Sequence, residues 1–337
     1  MSDFVEMDPD EMIRRIIGRN KIKYTTLSNL IGDNINNLRT FTINVDSILI
    51  DLHKYFDKNP ELDKYDFVYT IASSLINIVA HYRYYFSINR WYPNIYLLGD
   101  KNDICNNIST ALEIVRIILR YIDKSYFIDT SGLKTGIIIK YFLNKKSENL
   151  ILSRDDFDIM HLSKNTTIIK ANKDNSKYYT KENWQKVISG KNYKEGYENV
   201  SYKLLNIILC FSGAHGRAGI KGLGFRTMIK KLSKAIDSNK VINDYYTNIN
   251  DFISDIGDSL KKYNLNKGIT NFEIYDVNSN YDKCINKAIE KRLDSYIEDK
   301  FSKKDLIMLN SKYFTGLNSL MLAELMTQPK YQKEIKW

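Results

Sequence analysis

The sequence predicts an α/β fold: a mainly parallel sheet with helices on both faces, followed by a helical region. Short apolar runs of strand length alternate with longer segments of helical periodicity, the pattern of strands joined by helical crossovers. Beyond residue 200 the pattern is helical almost throughout. The chain has 337 residues, 43% of them hydrophobic, which supplies a real core and excludes wholesale disorder.

Residues 1–38 read as a helical or partly loose N-terminal extension. Phe41 to Asp46 reads as a short buried strand that ends in an acid, and an apolar-periodic helix follows from Ile48 to about Phe56. Asp66 to Tyr92 is a long helix with Ile71, Leu75, Ile78, Val79 and Tyr82 at helical spacing, stopped by Pro93. Asn94 to Asp100 is a second strand ending in an acid. Ser109 to Asp123 is a helix, Ser125 to Asp129 a short strand, and Leu133 to Asn144 another helix. Asn149 to Ser153 is a strand that runs into Asp155-Asp156-Phe157-Asp158, Thr166 to Lys170 is a further strand, and Thr180 opens a short helix. The domain division expected is 1–38 for the extension, 39–200 for the α/β domain and 201–337 for the helical region.

Acids recur where strands end: Asp46, Asp100, and the pair Asp156 and Asp158. Sites in open parallel sheets form beyond the carboxyl ends of the strands. Carboxylates gathered there repel unless a cation lies between them, and Mg²⁺ or Mn²⁺ is the natural occupant because hard cations take oxygen ligands. Two such ions, about 3.5–4 Å apart, activate water for phosphodiester cleavage. Each acid taken singly also reads as a helix N-cap.

A second feature is Gly219-Ile220-Lys221-Gly222-Leu223-Gly224-Phe225-Arg226-Thr227, followed by Met228-Ile229-Lys230-Lys231-Leu232. Three glycines let the backbone turn tightly and approach a partner closely, and a helix begins just after them, where amides face outward and phosphate is the usual guest. Arg217, Lys221, Arg226, Lys230, Lys231 and Lys234 add positive charge. This reads either as a grip on a nucleic-acid backbone that ignores base identity, or as a glycine-rich turn beside a solvated basic face. The formal charge of +10 favours a polyanionic partner. The 25 tyrosines, accompanied by heavy use of Asn, Ile and Lys, match what an AT-rich genome yields and are not counted towards base stacking. His81-Tyr82-Arg83-Tyr84-Tyr85-Phe86 mixes bases and rings, which suits a single-strand platform, but it lies in an amphipathic helix where core packing explains it.

Cys105, Cys210 and Cys284 form no C-x-x-C pair, which points to a reducing compartment without disulfide framework or zinc. The acidic start Met1-Ser2-Asp3-Phe4-Val5-Glu6 is unlike a signal peptide, and no apolar run reaches the length of a membrane span. A cytoplasmic protein is expected, in the host cytoplasm if the source is viral.

The order of these features resembles the flap endonuclease and 5′-3′ exonuclease family, including the phage ribonuclease H type. Asp156-Phe157-Asp158-Ile159-Met160-His161-Leu162 is similar to its D-x-D-L-x-Q-L segment, and Gly219 to Thr227 to its G-V-x-G-I-G-x-K-T segment. The likeness covers roughly residues 40–235. It implies a PIN-like sheet whose strand ends hold two metal ions, with Asp46, Asp100, Asp156 and Asp158 as ligands and catalytic groups. It also implies a helix–three-turn–helix that grips duplex phosphates, often through K⁺, with Arg217, Gly219, Lys221, Gly222, Gly224, Arg226, Thr227, Lys230 and Lys231 on the DNA.

The chain departs from that pattern where chemistry needs acids. The family's E-A-D-D cluster stands here as Gly132-Leu133-Lys134-Thr135-Gly136, and its G-D-x-x-D-N segment as Phe211-Ser212-Gly213-Ala214-His215-Gly216. Lys101 to Ser109 is too short for a helical arch. Asp129 is a further acid placed to substitute in space. The expectation is a DNA-binding pseudo-nuclease that serves replication, repair or transcription and holds Mg²⁺ or Mn²⁺ weakly or not at all. The alternatives are an active divergent Mg²⁺-dependent 5′-nuclease, and a non-catalytic interaction subunit of a larger, for instance viral, assembly. In the last, the helices from Asp282 onward, with Leu306, Met308, Leu309, Leu317, Leu320 and Leu322, offer the protein interface.

Overall fold

Thr40-Phe41-Thr42-Ile43 is a run of β-branched and aromatic residues, which extended backbone accommodates well, and it lies in strand β1 (Leu38–Asn44). The computed structural model describes residues 7–22, 27, 37–63, 66–102, 105–120, 122, 124–131, 135–143, 146–171, 176–212 and 222–237. Two units are distinguished: the first takes the described residues through Leu152, with Ala171 and Ser176; the second takes Ser153–Lys170 and the described residues from Lys177 onward.

The first unit contains β1, β2 (Asn94–Gly99), β3 (Ser125–Asp129) and β4 (Glu148–Leu152). All neighbours are parallel, in the order β3-β2-β1-β4, with Phe41 opposite Ile95 and Leu150, and Leu97 opposite Phe127. Helices α1 (Pro9–Gly18), α2 (Val45–Lys58), α3 (Val68–Ile88), α4 (Asn106–Leu119) and α5 (Thr135–Phe142) surround these strands. The Phe41 ring meets Tyr82 and Phe86 of α3 edge-on, at 4.8 and 5.5 Å between centroids. On the opposite face Tyr96 stacks on Phe142 of α5 at 4.1 Å. Helices therefore cover both faces of the parallel strands, as the alternating pattern predicts. Gly99 marks the tightest approach: a Cβ there would sit 3.2 Å from the Phe127 ring and 3.4 Å from Leu112 of α4.

Several elements differ from the sequence expectation. Within residues 1–38, α1 is the expected helix but is packed rather than loose: Met12, Ile13, Ile16 and Ile17 are buried, and α1 packs on α2 and α3. Helix α3 ends at Ile88, before Pro93, because Arg90 adopts the left-handed conformation (φ 58°) and closes the last turn. Its amide donates to the Ser87 carbonyl at 2.9 Å and that of Trp91 to Phe86 at 2.8 Å. Of the His81–Phe86 cluster, Tyr82, Arg83, Tyr85 and Phe86 are buried, the core-packing outcome, and Tyr84 alone is strongly exposed.

The second unit contains β5 (Thr166–Lys170) and β6 (Lys177–Tyr179), which pair antiparallel. Strand β6 escaped the sequence reading because a three-residue Lys-Tyr-Tyr run carries no usable periodicity. Helix α6 (Trp184–Ser189) starts after a turn in which the Asn183 side chain accepts the Thr180 amide at 2.8 Å, so the helix begins beyond Thr180. Helices α7 (Leu205–Ser212) and α8 (Phe225–Asp237) complete the unit. Among the described residues no helix is long and apolar enough to cross a membrane. Arg217, Gly219, Lys221 and the expected C-terminal helices lie outside the described residues.

Candidate functional site

The carboxyl ends of β1, β2 and β3 bring Asp46, Asp100 and Asp129 together in the first unit. Asp46 is not a strand-end residue but lies in the first turn of α2, where the helix dipole favours a negative charge. It is also not the cap. Asn44 caps α2, its Oδ1 accepting the Ser47 amide at 3.1 Å. Asp46 is left to bind elsewhere. Its Oδ1 accepts the Asp100 amide at 2.8 Å, and its Oδ2 accepts the hydroxyls of Thr135 at 2.8 Å and Thr130 at 3.2 Å.

Asp100 follows β2 directly. Its Oδ1 accepts the Asn102 amide at 2.8 Å and the Ser131 hydroxyl at 2.6 Å. Asp129 ends β3; its Oδ1 accepts the amides of Ser131 at 3.0 Å and Lys101 at 3.3 Å, and also lies against the Ser131 hydroxyl. One serine proton thus serves two carboxylate oxygens. The Lys101 ammonium points away, to Glu113 at 2.7 Å, so among the described residues the neutralising groups here are hydroxyls and amides.

These contacts bear on metal binding. Mg²⁺ needs oxygen lone pairs that are free to face it. Both oxygens of Asp46 are already met by three donors, and one oxygen of Asp100 by two. Among the described residues no group of three or more His, Cys, Asp or Glu side chains is placed to hold a metal ion. Among the described residues, Asp46, Asp100 and Asp129 by themselves do not make a two-metal centre. The decisive side chains are Thr130, Ser131 and Thr135. Sequence reasoning noted Thr135 only as part of a segment lacking acids and passed over Thr130 and Ser131, because a hydroxyl next to a strand end is too common to stand out.

Burial raises the Asp46 carboxyl above its ordinary value of 3.8, and the nearby Asp100 charge adds to this; the hydrogen bonds from Asp100, Thr135 and Thr130 oppose it without cancelling it. A carboxyl raised on folding lends stability that is fully present below 3.8 and is lost as pH climbs through the raised value. Asp46→Asn is therefore expected to melt higher than the parent at neutral pH, with the gain vanishing in acid; each pKa unit corresponds to about 1.4 kcal/mol. Thermal melts of both proteins across the acidic-to-neutral range test this. A gain that grows as pH falls would contradict the assignment.

The other acids lie in the second unit. Asp156 and Asp158 fall not at the end of β4 but in a 3-10 helix, Asp156–His161. The Asp158 carboxylate is buried and lies 3.8 Å from Nε2 of the buried His161. The side chain of Asp156 lies outside the described residues.

The basic segment is partly described. Gly222 adopts φ 85°, the left-handed conformation that favours glycine. In α8, Met228, Ile229 and Leu232 are buried to 0% exposure and Ser233 donates to the Gly196 carbonyl at 2.9 Å. This pins one face and turns Arg226, Lys230 and Lys234 outward at i, i+4, i+8, with Lys231 half-buried and Thr227 beside them. Arg226 spends its Nε on the Ile188 carbonyl at 3.0 Å. No protein-family model matches the chain, and comparison with curated proteins gives no match either.

Proposed function

We propose that this chain is a DNA-binding protein of the 5′-nuclease, PIN-like type whose metal centre is degenerate, so that it binds duplex or branched DNA without cutting it. One observation carries the reading: the carboxylates of Asp46, Asp100 and Asp129 are engaged by Thr130, Ser131, Thr135 and backbone amides. Hydroxyl donors lower the cost of holding these acids together, a task that falls to cations in a working two-metal site. Binding is the part that the basic stripe of α8 supports. Its Arg226, Lys230 and Lys231 reach phosphates while Met228, Ile229 and Leu232 anchor the helix, and Gly222 and Gly224 lead into its first turn. Arg217, Gly219, Lys221 and a K⁺ ion belong to the same proposed grip.

The test is purified protein with 5′-flap, nicked and RNA–DNA hybrid substrates, in Mg²⁺ and in Mn²⁺. The expected result is salt-sensitive binding and no cleavage. Rapid cleavage that disappears in Asp156→Asn overturns the degenerate reading in favour of an active divergent nuclease. Failure to bind any DNA at low salt leaves the scaffold reading, an interaction subunit of a larger assembly.

A further inference from the structure

Among the described residues two non-glycine residues have positive φ: Arg90 at 58° and Lys124 at 53°. Both are basic, both are exposed, and both sit at the amino edge of the parallel strands, just before β2 and β3. Those strands are neighbours, with Ile95 opposite Ser125. A left-handed backbone disfavours side chains with a Cβ, and Arg90 occupies the position after α3 where glycine is the usual choice. A non-glycine residue at such a place carries a backbone cost that the surrounding structure must offset.

Exposed apolar side chains flank Arg90 along the chain. Tyr84 and Ile88, one turn apart at the end of α3, are 59% and 58% exposed, and Tyr92 is 54% exposed. The Lys124 ammonium lies 5.5 Å from the centre of the Tyr92 ring and 3.4 Å from the Tyr92 carbonyl. The corner is held rigidly from below. Buried Arg83 donates to the Pro93 carbonyl at 3.0 Å, the Lys124 carbonyl at 2.6 Å and the Ser125 hydroxyl at 3.0 Å. The acids Asp46, Asp100 and Asp129 lie at the other end of the strands, a strand length of about 17–20 Å away.

We propose that Tyr84, Ile88, Arg90, Tyr92 and Lys124 form a docking surface for single-stranded nucleic acid. Flat exposed rings offer stacking faces to unpaired bases, whereas duplex bases already stack on one another. Arg90 and Lys124 supply the charge that phosphates need, and the Lys124 ammonium lies over the Tyr92 ring. The surface uses none of the α8 residues and goes beyond the duplex grip proposed above.

A short fluorescent oligothymidylate, followed by anisotropy at low salt, is the probe. Tyr84→Ala with Tyr92→Ala should weaken its binding about tenfold or more and leave a duplex of equal length little affected; Tyr92→Phe, which keeps the ring, should retain most of the affinity. Arg90→Gly is the sharper variant: it relieves the backbone and should melt no lower than the parent, yet bind oligothymidylate several-fold more weakly. The tyrosine effect should persist in a Lys230→Ala/Lys231→Ala background, which separates it from the α8 grip. Unchanged affinity in Arg90→Gly, or equal losses for single strand and duplex, overturns the proposal. So does a parent protein that binds anionic phosphatidylserine vesicles and not the oligonucleotide.

Discussion

Changing Lys221, Arg226 and Lys230 together to alanine is expected to weaken duplex DNA binding by on the order of a hundredfold at low salt, equally for all sequences. Contacts to phosphate release counterions, so losing three of them should also flatten the slope of log affinity against log salt by about three. The helix that carries Arg226 and Lys230 should survive, since Met228, Ile229 and Leu232 hold it from the opposite face and both cations are exposed. Arg226 also donates to Ile188, so a small stability loss accompanies its removal. Anisotropy titrations at several salt concentrations give both numbers. A triple variant that binds like the parent, with the same salt slope, reduces the glycine segment to a turn and removes α8 from the DNA reading.

Arg83→Ala is expected to destabilise the protein by about 1–3 kcal/mol. Arg83 is buried and its guanidinium joins two strand entrances, taking the carbonyls of Pro93 and Lys124 and the Ser125 hydroxyl. Alanine removes the donor from the Pro93 carbonyl, while the Lys124 carbonyl keeps the Ile95 amide at 2.8 Å, so the cost falls on the buried acceptors left without a donor. Arg83→Lys should recover only part of the loss, because a single ammonium cannot span the positions that a planar fork reaches. Urea melts measure the effect. A change no larger than that of a surface substitution, about 0.5 kcal/mol, would mean that these acceptors find other donors.

Much of the architecture was legible in the residues. The strands that became β1 to β5 were visible as short apolar runs, and α2 to α5 as helical periodicity, because one buried face repeats at a fixed interval in each. Helix ends were less legible. Arg90 closes α3 before Pro93 can, and no propensity rule selects arginine for a left-handed residue. The site was half legible. Asp46 and Asp100 were recognisable from their places after strands, and Asp129 was recognisable as a spare acid. That Asn44 takes over the cap and frees Asp46 follows from α2 starting at Val45, three residues before the expected Ile48.

What the sequence determined by itself is the α/β class, the parallel arrangement implied by alternating strands and helices, the place of Asp46 and Asp100 just after strands, and a basic amphipathic helix after a glycine turn. These are local or periodic properties, set by side-chain spacing along one segment. Only the tertiary structure decided what the acids face. Thr130 and Thr135 lie far along the chain from Asp46, and their hydroxyls reach its carboxylate only because β1, β2 and β3 are parallel neighbours that end together. The same holds at the other end of the strands, where the Lys124 ammonium meets the Tyr92 ring because β2 and β3 are parallel neighbours. Hydrogen bonding and charge act through space, whereas sequence spacing reports distance only along one element; the character of both ends of the sheet was therefore settled by the fold.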